Sequence, residues 1–302
     1  MPGSRGRILY KLTRVTFPFW QKLGFHLTRI NYLDPVPDTR TLKKELWEGY
    51  EEPAGIDFRE AQQVELLRLF RREYGAEYDR IPRRRDEVKG PGEFYVDNGS
   101  FAAVDAEILY CMVRHFRPSR VIEIGAGNST LLIAQAIGVN AGKEGEACEF
   151  ISIEPYPGDV LAGGIPHLAR LMVTRAEDVP PSFFDQLGRD DILFVDSSHV
   201  LKIGGDVQHI FLKVLPRLRE GVIVHIHDIF LPAEYPRDFA CRERWFWTEQ
   251  YLLQAFLTFN GRFEVMWAGS FMHLKNSPLL EEAFASYHRE KCWPGSFWMR
   301  RV

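Results

Sequence analysis

Cysteine is scarce in this chain of 302 residues: Cys111, Cys148, Cys241 and Cys292 stand far apart and form no C-x-x-C pair. That spacing suggests neither a zinc knuckle nor a disulfide framework, so a reducing, cytoplasmic setting is expected. An excess of one charge is also lacking. With 38 Lys and Arg against 41 Asp and Glu the net charge is −3, whereas nucleic-acid binders usually carry a clear basic excess. A small-molecule partner is therefore expected rather than nucleic acid. No apolar run is long enough for a membrane span, and the hydrophobic start from Ile8 to Trp20 is cut by Lys11, Arg14 and Pro18, which also speaks against a signal peptide. No internal repeat, low-complexity tract or linker is visible. The balance of 45% hydrophobic and 26% charged residues is that of a globular chain able to bury at least one full core.

The first 33 residues depart from this balance. They hold Arg5, Arg7, Lys11, Arg14, Lys22 and Arg29 and no acid, interleaved with Phe17, Phe19, Trp20 and Phe25. Such a segment either makes contact with an anionic membrane surface or packs as a solvated extension. Pro35 and Pro37 forbid regular structure after it, as do Pro82 and Pro91 in the stretch from Ile81 to Gly92. Between these breaks Phe58, Ala61, Val64, Leu67 and Phe70 recur at helical spacing, and Asp57 with Glu60 predicts a capping box ahead of them. Residues 1–95 thus read as an N-terminal helical cap or extension, followed by a domain over residues 96–302.

In that second part the pattern is α/β. A helical run from Val104 to Phe116 leads into an apolar strand at Val121 to Gly125, and short β-branched runs follow at Phe150 to Glu154, Leu171 to Thr174, Ile192 to Asp196, Val222 to Ile226 and Phe263 to Trp267. Stretches able to form helices separate them. This order implies a mostly parallel, Rossmann-like sheet with helices on both faces. The alternating segment Ser296 to Arg301 is expected to close the sheet as an antiparallel strand, making seven.

Chemistry concentrates at the carboxyl ends of these strands. Glu123-Ile-Gly-Ala-Gly-Asn-Ser-Thr130 follows one strand and opens a helix at Leu131, and Gly125 and Gly127 let the backbone turn and approach a nucleotide-type cofactor. The next strand ends in Glu154, whose carboxylate suits two ribose hydroxyls. A dinucleotide fingerprint would place glycine or alanine where Thr130 stands. S-adenosylmethionine has no pyrophosphate to accommodate, and its sulfonium is a cation that Glu123 and Asp196 favour electrostatically.

Taken in order, Val121 to Thr130, Glu154, Asp191 to His199 and Leu215 to Asp228 resemble the successive motifs of class I S-adenosylmethionine-dependent methyltransferases, in particular the group with macrolide-sugar and related small-molecule O-methyltransferases. The resemblance covers roughly residues 95–302. It implies that Glu123, Gly125, Gly127, Asn128 and Ser129 surround the amino-acid part of S-adenosyl-L-methionine, Glu154 the ribose, and Ala176, Glu177 and Asp178 the adenine. It also implies a catalytic D-x-x-H segment, Asp196 to His199, in which His199 is the general base for O-methylation of a sugar-like or other polar small molecule. Asp196 and Asp228 match the acids that hold Mg2+ in metal-dependent relatives; the neighbouring position is His227, which turns such a site toward transition metals or removes the metal. His225 and His227 point to one face of their strand, where His225 reads as a hydrogen-bonded core residue.

After Asp228 an insertion rich in prolines and aromatics leads into a helix-like stretch from Glu243 to Phe259; Tyr235, Trp245, Trp247 and Glu249 read either as lining of the acceptor pocket or as core at helical spacing, and the stretch from Tyr95 to Phe101 is expected to close over the cofactor. Two rival readings use the same residues: a metal-dependent oxygenase or hydroxylase on this fold, and a cofactor-binding scaffold without catalysis. A homo-oligomer stands beside a monomer as the expected assembly.

Overall fold

The computed structural model describes residues 4–28, 30–90 and 92–302; Arg29 and Pro91 lie outside the described residues, as do the side chains of Arg5, Arg7, Lys11 and Arg14. The chain forms two compact units, Met1–Gly49 with Arg237–Phe246 and Tyr50–Pro236 with Trp247–Val302. The expected boundary at 95/96 does not coincide with this division. The reason lies in helix α2 (Glu60–Tyr78), which packs against α3 (Asp105–Phe116), α8 (Gly269–Ala283) and the strand Phe263–Ala268.

The smaller unit contains α1 (Ser4–Lys22) and a turn at Lys44–Trp47. Within it, Arg237 lies over the Trp47 ring at 5.9 Å and Arg244 donates to Thr39 Oγ1 at 3.1 Å.

The larger unit is built on a seven-stranded sheet: β1 (Arg120–Ile124), β2 (Glu149–Ile153), β3 (Leu168–Met172), β4 (Ile192–Val195), β5 (Ile223–Ile226), β6 (Phe263–Ala268) and β7 (Phe297–Arg301) in the order β3-β2-β1-β4-β5-β7-β6. The first five strands pair in parallel, and β7 runs antiparallel to both β5 and β6, with Val224 opposite Met299. Every residue of β4 and β5 is buried, as a sheet covered on both faces requires. Edge strand β3 is half-exposed and carries Arg170, a charge that discourages further pairing. Strand order reverses between β1 and β4, so a crevice opens at their carboxyl ends.

Helix α4 (Asn128–Glu144) follows β1, as expected. Three local expectations are corrected. Asp57 and Glu60 form no capping box: Asp57 Oδ1 accepts the Arg59 N–H, and Glu60 accepts Asn276 Nδ2. On α2 the buried position is Gln63 rather than Ala61, because Gln63 donates to the Phe58 carbonyl and accepts the Ala268 N–H at 2.7 Å, tying the helix to the end of β6. The helical stretch expected from Glu243 is ordered as α7 only over Glu249–Leu257. His225 is a core residue: fully buried, stacked on Phe194 at 4.0 Å, and hydrogen-bonded through Nε2 to Ser296 Oγ at 3.0 Å.

Candidate active site

The turn after β1 is fixed by contacts that only glycine permits. Gly125 has φ +88°, and a Cβ there would lie 1.6 Å from the Asp196 carbonyl oxygen, so the ends of β1 and β4 meet in backbone contact. Gly125 donates to the Ile153 carbonyl at 3.0 Å and Asp196 to the Ile124 carbonyl at 2.8 Å. Behind the turn, Glu123 is fully buried and accepts hydrogen bonds from the hydroxyls of Ser129, Thr130 and Ser152 at 2.7–2.8 Å. Burial drives its carboxyl up to about 7 against the pull of these donors. Thr130 Oγ1 also accepts the Gly127 N–H at 2.9 Å. Glu123, Ser129 and Thr130 thus form a buried brace for the loop.

A cavity of about 500 Å³ opens on the crevice side, lined by Gly125, Glu154, Tyr156, Ala176, Glu177 and Asp196 among others. Glu154 is set by backbone donors on both oxygens, Ala126 N at 3.2 Å and Tyr156 N at 2.7 Å. Of the residues expected around a cofactor, Gly125, Glu154, Ala176, Glu177 and Asp196 line this cavity. Glu123 and Ser129 lie behind the loop, Gly127 and Asn128 stand at the start of α4, and Asp178 closes the turn Ala176–Asp178 without reaching the lining. Asn128 Nδ2 donates to Asn98 Oδ1 at 3.1 Å and to Ser100 Oγ at 2.8 Å, which moors the stretch Tyr95 to Phe101 on the start of α4.

Beside the cavity, Asp196 belongs to a second group. His199, nearly buried, places Nε2 3.3 Å from Asp196 Oδ1 and 3.5 Å from Asp228 Oδ2, and Nδ1 2.9 Å from Glu249 Oε2. Its carbonyl accepts the N–H groups of Thr248 and Glu249 at 2.9 and 3.1 Å, and the Trp247 ring lies 4.4 Å from its imidazole. Burial alone would lower the imidazole's proton affinity, yet Asp196 and Glu249 raise it well above the ordinary range. Asp228 is raised by burial; Asp196 is lowered despite burial because His227 and His199 favour its charge. His199 and Asp228 both adopt left-handed backbone, φ 57° and 55°, a conformation that costs about 1–3 kcal/mol and gathers at functional sites.

Asp196, His199 and Asp228 each offer a ligand atom within 4.8 Å of the others, a spacing able to hold a metal ion. His227 does not join them: it is buried against Phe101 at 4.8 Å, with Nε2 3.9 Å from Asp228 Oδ1. Expected from sequence as the third member beside the two acids, it lies at their edge with its ring packed on Phe101, while His199 supplies the nearer imidazole nitrogen, 3.3 and 3.5 Å from the two carboxylates. Glu249 was read only as pocket lining or core; no local signal links it to a histidine 50 residues away. Tyr235 lies 6.0 Å from Trp247, and its hydroxyl accepts the Gln250 N–H at 2.9 Å. Trp245 belongs to the smaller unit.

A family model described as a methyltransferase domain matches residues 122–229, which run from β1 to the residue after Asp228. An uncharacterized protein of Archaeoglobus fulgidus is 38% identical over 96 residues, 31% of this chain and 42% of that protein, so the chain spans less than half the length of this relative. Among solved structures, a Podospora anserina methyltransferase bound to S-adenosylhomocysteine is 16% identical and covers 80% of this chain and 88% of its own, with a TM-score of 0.41. The plantazolicin methyltransferase, in complex with a plantazolicin analogue and S-adenosylhomocysteine, is 13% identical, with 80% and 96% covered and a TM-score of 0.39. With its strand order and its glycine turn at the switch point, the chain has a Rossmann-like fold, and over residues 122–229 it is similar to the methyltransferase domain that the family model describes.

Proposed function

We propose that the protein transfers the methyl group of S-adenosylmethionine to a hydroxyl of a sugar-like or other polar small molecule. The observation that carries this reading is the double position of Asp196, which lines the Glu154 cavity and stands 3.3 Å from His199 Nε2. A donor in the cavity and an acceptor at the histidine are then held in line across one side chain, and such positioning supplies much of the rate of a displacement.

The cavity suits the cofactor in size and in donors: about 500 Å³ lies in the range of small-ligand sites. Glu154 takes the ribose hydroxyls, Ala176 and Glu177 with neighbouring Asp178 border the adenine, and the backbone from Gly125 through Gly127 to Asn128 receives the amino-acid end. Glu123 and Ser129 act on that end by bracing the loop. His199 in its neutral form takes the proton of the attacking hydroxyl, so transfer should quicken as pH rises toward its raised range; Glu249 fixes which ring nitrogen faces the acceptor, and Trp247 covers the imidazole against water.

A second reading of the centre follows from the three donors Asp196, His199 and Asp228. They fit a divalent cation, the carboxylates favouring Mg2+ and the imidazole drawing the site toward transition metals. Such an ion would supply Lewis-acid polarisation of the acceptor oxygen. His199 is then a ligand and no longer the base.

Calorimetric titration of the purified protein with S-adenosylmethionine and, separately, with NAD tests the reading. Saturable binding of the former alone, spared by His199→Ala while transfer is lost, is the expected result. A folded sample that binds no S-adenosylmethionine would overturn it and shift weight to a metal-dependent oxygenase, whereas binding with no measurable effect of His199→Ala would favour the scaffold.

A further inference from the structure

A net positive charge and a dense run of exposed apolar side chains coincide in the first 33 residues. Six of the 38 Lys and Arg and none of the 41 acids fall there, so this segment carries +6 and the rest of the chain, with 32 cations against 41 acids, carries −9. In the same stretch Val15, Phe19, Leu23, Ile30, Tyr32 and Leu33 are each between 56% and 94% exposed. None of the described side chains up to Gly49 is buried. Exposed apolar side chains scattered singly are ordinary, whereas a dense run of them among charges of one sign marks a surface that meets something else.

The segment has its own shape, in which only Phe19 of these side chains takes part, its ring meeting the Trp20 ring edge-on at 5.0 Å. After α1 the chain turns back on the helix: the Phe25 N–H donates to the Trp20 carbonyl at 3.3 Å, the Trp20 and Phe25 rings meet at 5.2 Å, and Phe17 stacks on His26 at 4.8 Å. Trp20 Nε1 is satisfied by Thr16 Oγ1 at 3.0 Å. No described helix is long and apolar enough to cross a membrane.

We propose that this segment docks the protein on the surface of an anionic lipid bilayer, with α1 lying in the interface plane. The partner is identified by two requirements at once. Six cations without an acid call for a densely anionic surface, and the aliphatic and aromatic side chains among them call for a hydrocarbon phase within reach of that surface. Anionic headgroups over acyl chains offer both. A nucleic-acid backbone would leave the aliphatic side chains wet. The −9 carried by the other residues would be repelled by the same bilayer, which restricts contact to this end of the sequence.

The test is co-sedimentation of the full chain with vesicles of phosphatidylcholine alone and of equal parts phosphatidylcholine and phosphatidylglycerol. At low salt, binding to the anionic vesicles should exceed binding to neutral ones by about tenfold or more, and it should fall as salt is raised. The double variant Phe19→Glu, Leu23→Glu, with an unchanged thermal unfolding midpoint, should bind neither. Equal binding to both vesicle types, binding to neither by the unaltered chain, full binding by the double variant, or self-association in place of vesicle binding would each overturn the proposal.

Discussion

Glu249, with no exposed surface, holds Nδ1 of His199 at 2.9 Å, and its own backbone N–H donates to the His199 carbonyl at 3.1 Å. Side chain and main chain of one residue thus fix both the ring orientation and the left-handed backbone of the histidine. Partners that orient a catalytic or metal-bound histidine typically matter by about 10- to 100-fold. Glu249→Ala should lower kcat by that order while S-adenosylmethionine affinity stays within about twofold, and Glu249→Gln, which keeps an acceptor oxygen, should restore part of the rate. Steady-state kinetics beside calorimetry separates the two effects.

Gly125→Ala should be damaging at one atom. A Cβ would sit 1.6 Å from the Asp196 carbonyl oxygen, and φ +88° is strained for any L side chain. The turn must open between β1 and β4, at a cost on the order of 1–3 kcal/mol from the backbone alone. A lower midpoint of chemical denaturation together with loss of S-adenosylmethionine binding is the expected pair of results.

Glu154→Ala removes a carboxylate proposed to accept from two ribose hydroxyls. Hydrogen bonds to charged groups contribute about 1.5–3 kcal/mol each, so the dissociation constant for S-adenosylmethionine should rise at least about tenfold. Glu154 also holds the Ala126 and Tyr156 N–H groups. A small loss of stability should therefore accompany the change, measurable by thermal unfolding without ligand.

Glu123 predicts a pH dependence. Burial lifts its carboxyl from 4.5 to about 7 in the folded chain, so between those values the native state binds the proton that the unfolded chain has released. Stability from this group is complete below about pH 4.5, falls as pH rises through the window, and is flat above 7, the fall amounting to roughly 3 kcal/mol at most. Denaturant unfolding from pH 5 to 8 should show this slope, and Glu123→Gln, neutral throughout and able to keep hydroxyl donors, should flatten it.

If a cation enters the Asp196, His199 and Asp228 cluster, Mg2+ or Mn2+ should raise the thermal midpoint, since whatever binds only the native state stabilises it. Chelator should reverse the rise, and Asp228→Asn should abolish it. The absence of any metal-dependent shift, with turnover intact in chelator, would leave His199 acting as the base.

Much of the sheet was legible because buried strands write themselves as short apolar runs, and six of the seven strands lie where those runs occur, with Ser296 to Arg301 antiparallel as the alternation implied; the half-exposed edge strand β3 instead spans Leu168–Met172, ahead of the run expected from Leu171 to Thr174. Local signals failed where a tertiary partner overrode them. The Asp57 and Glu60 pair has the spacing of a capping box, but Asn276 captures Glu60 from another helix. Gln63 is polar by composition and buried in fact, since the end of β6 supplies its partner.

Sequence by itself determined the α/β alternation, the glycine turn after β1, and the acids at the carboxyl ends of β2, β4 and β5, because each depends on residues adjacent in the chain or one strand apart. Only the tertiary structure decided which side chains converge. It set Glu123 behind the loop, joined His199 rather than His227 to Asp196 and Asp228, and brought Glu249 across 50 residues to the imidazole. Those choices follow from the left-handed backbone at His199 and Asp228 and from Glu249 at the start of α7 reaching the imidazole, and neither leaves a mark on the local sequence.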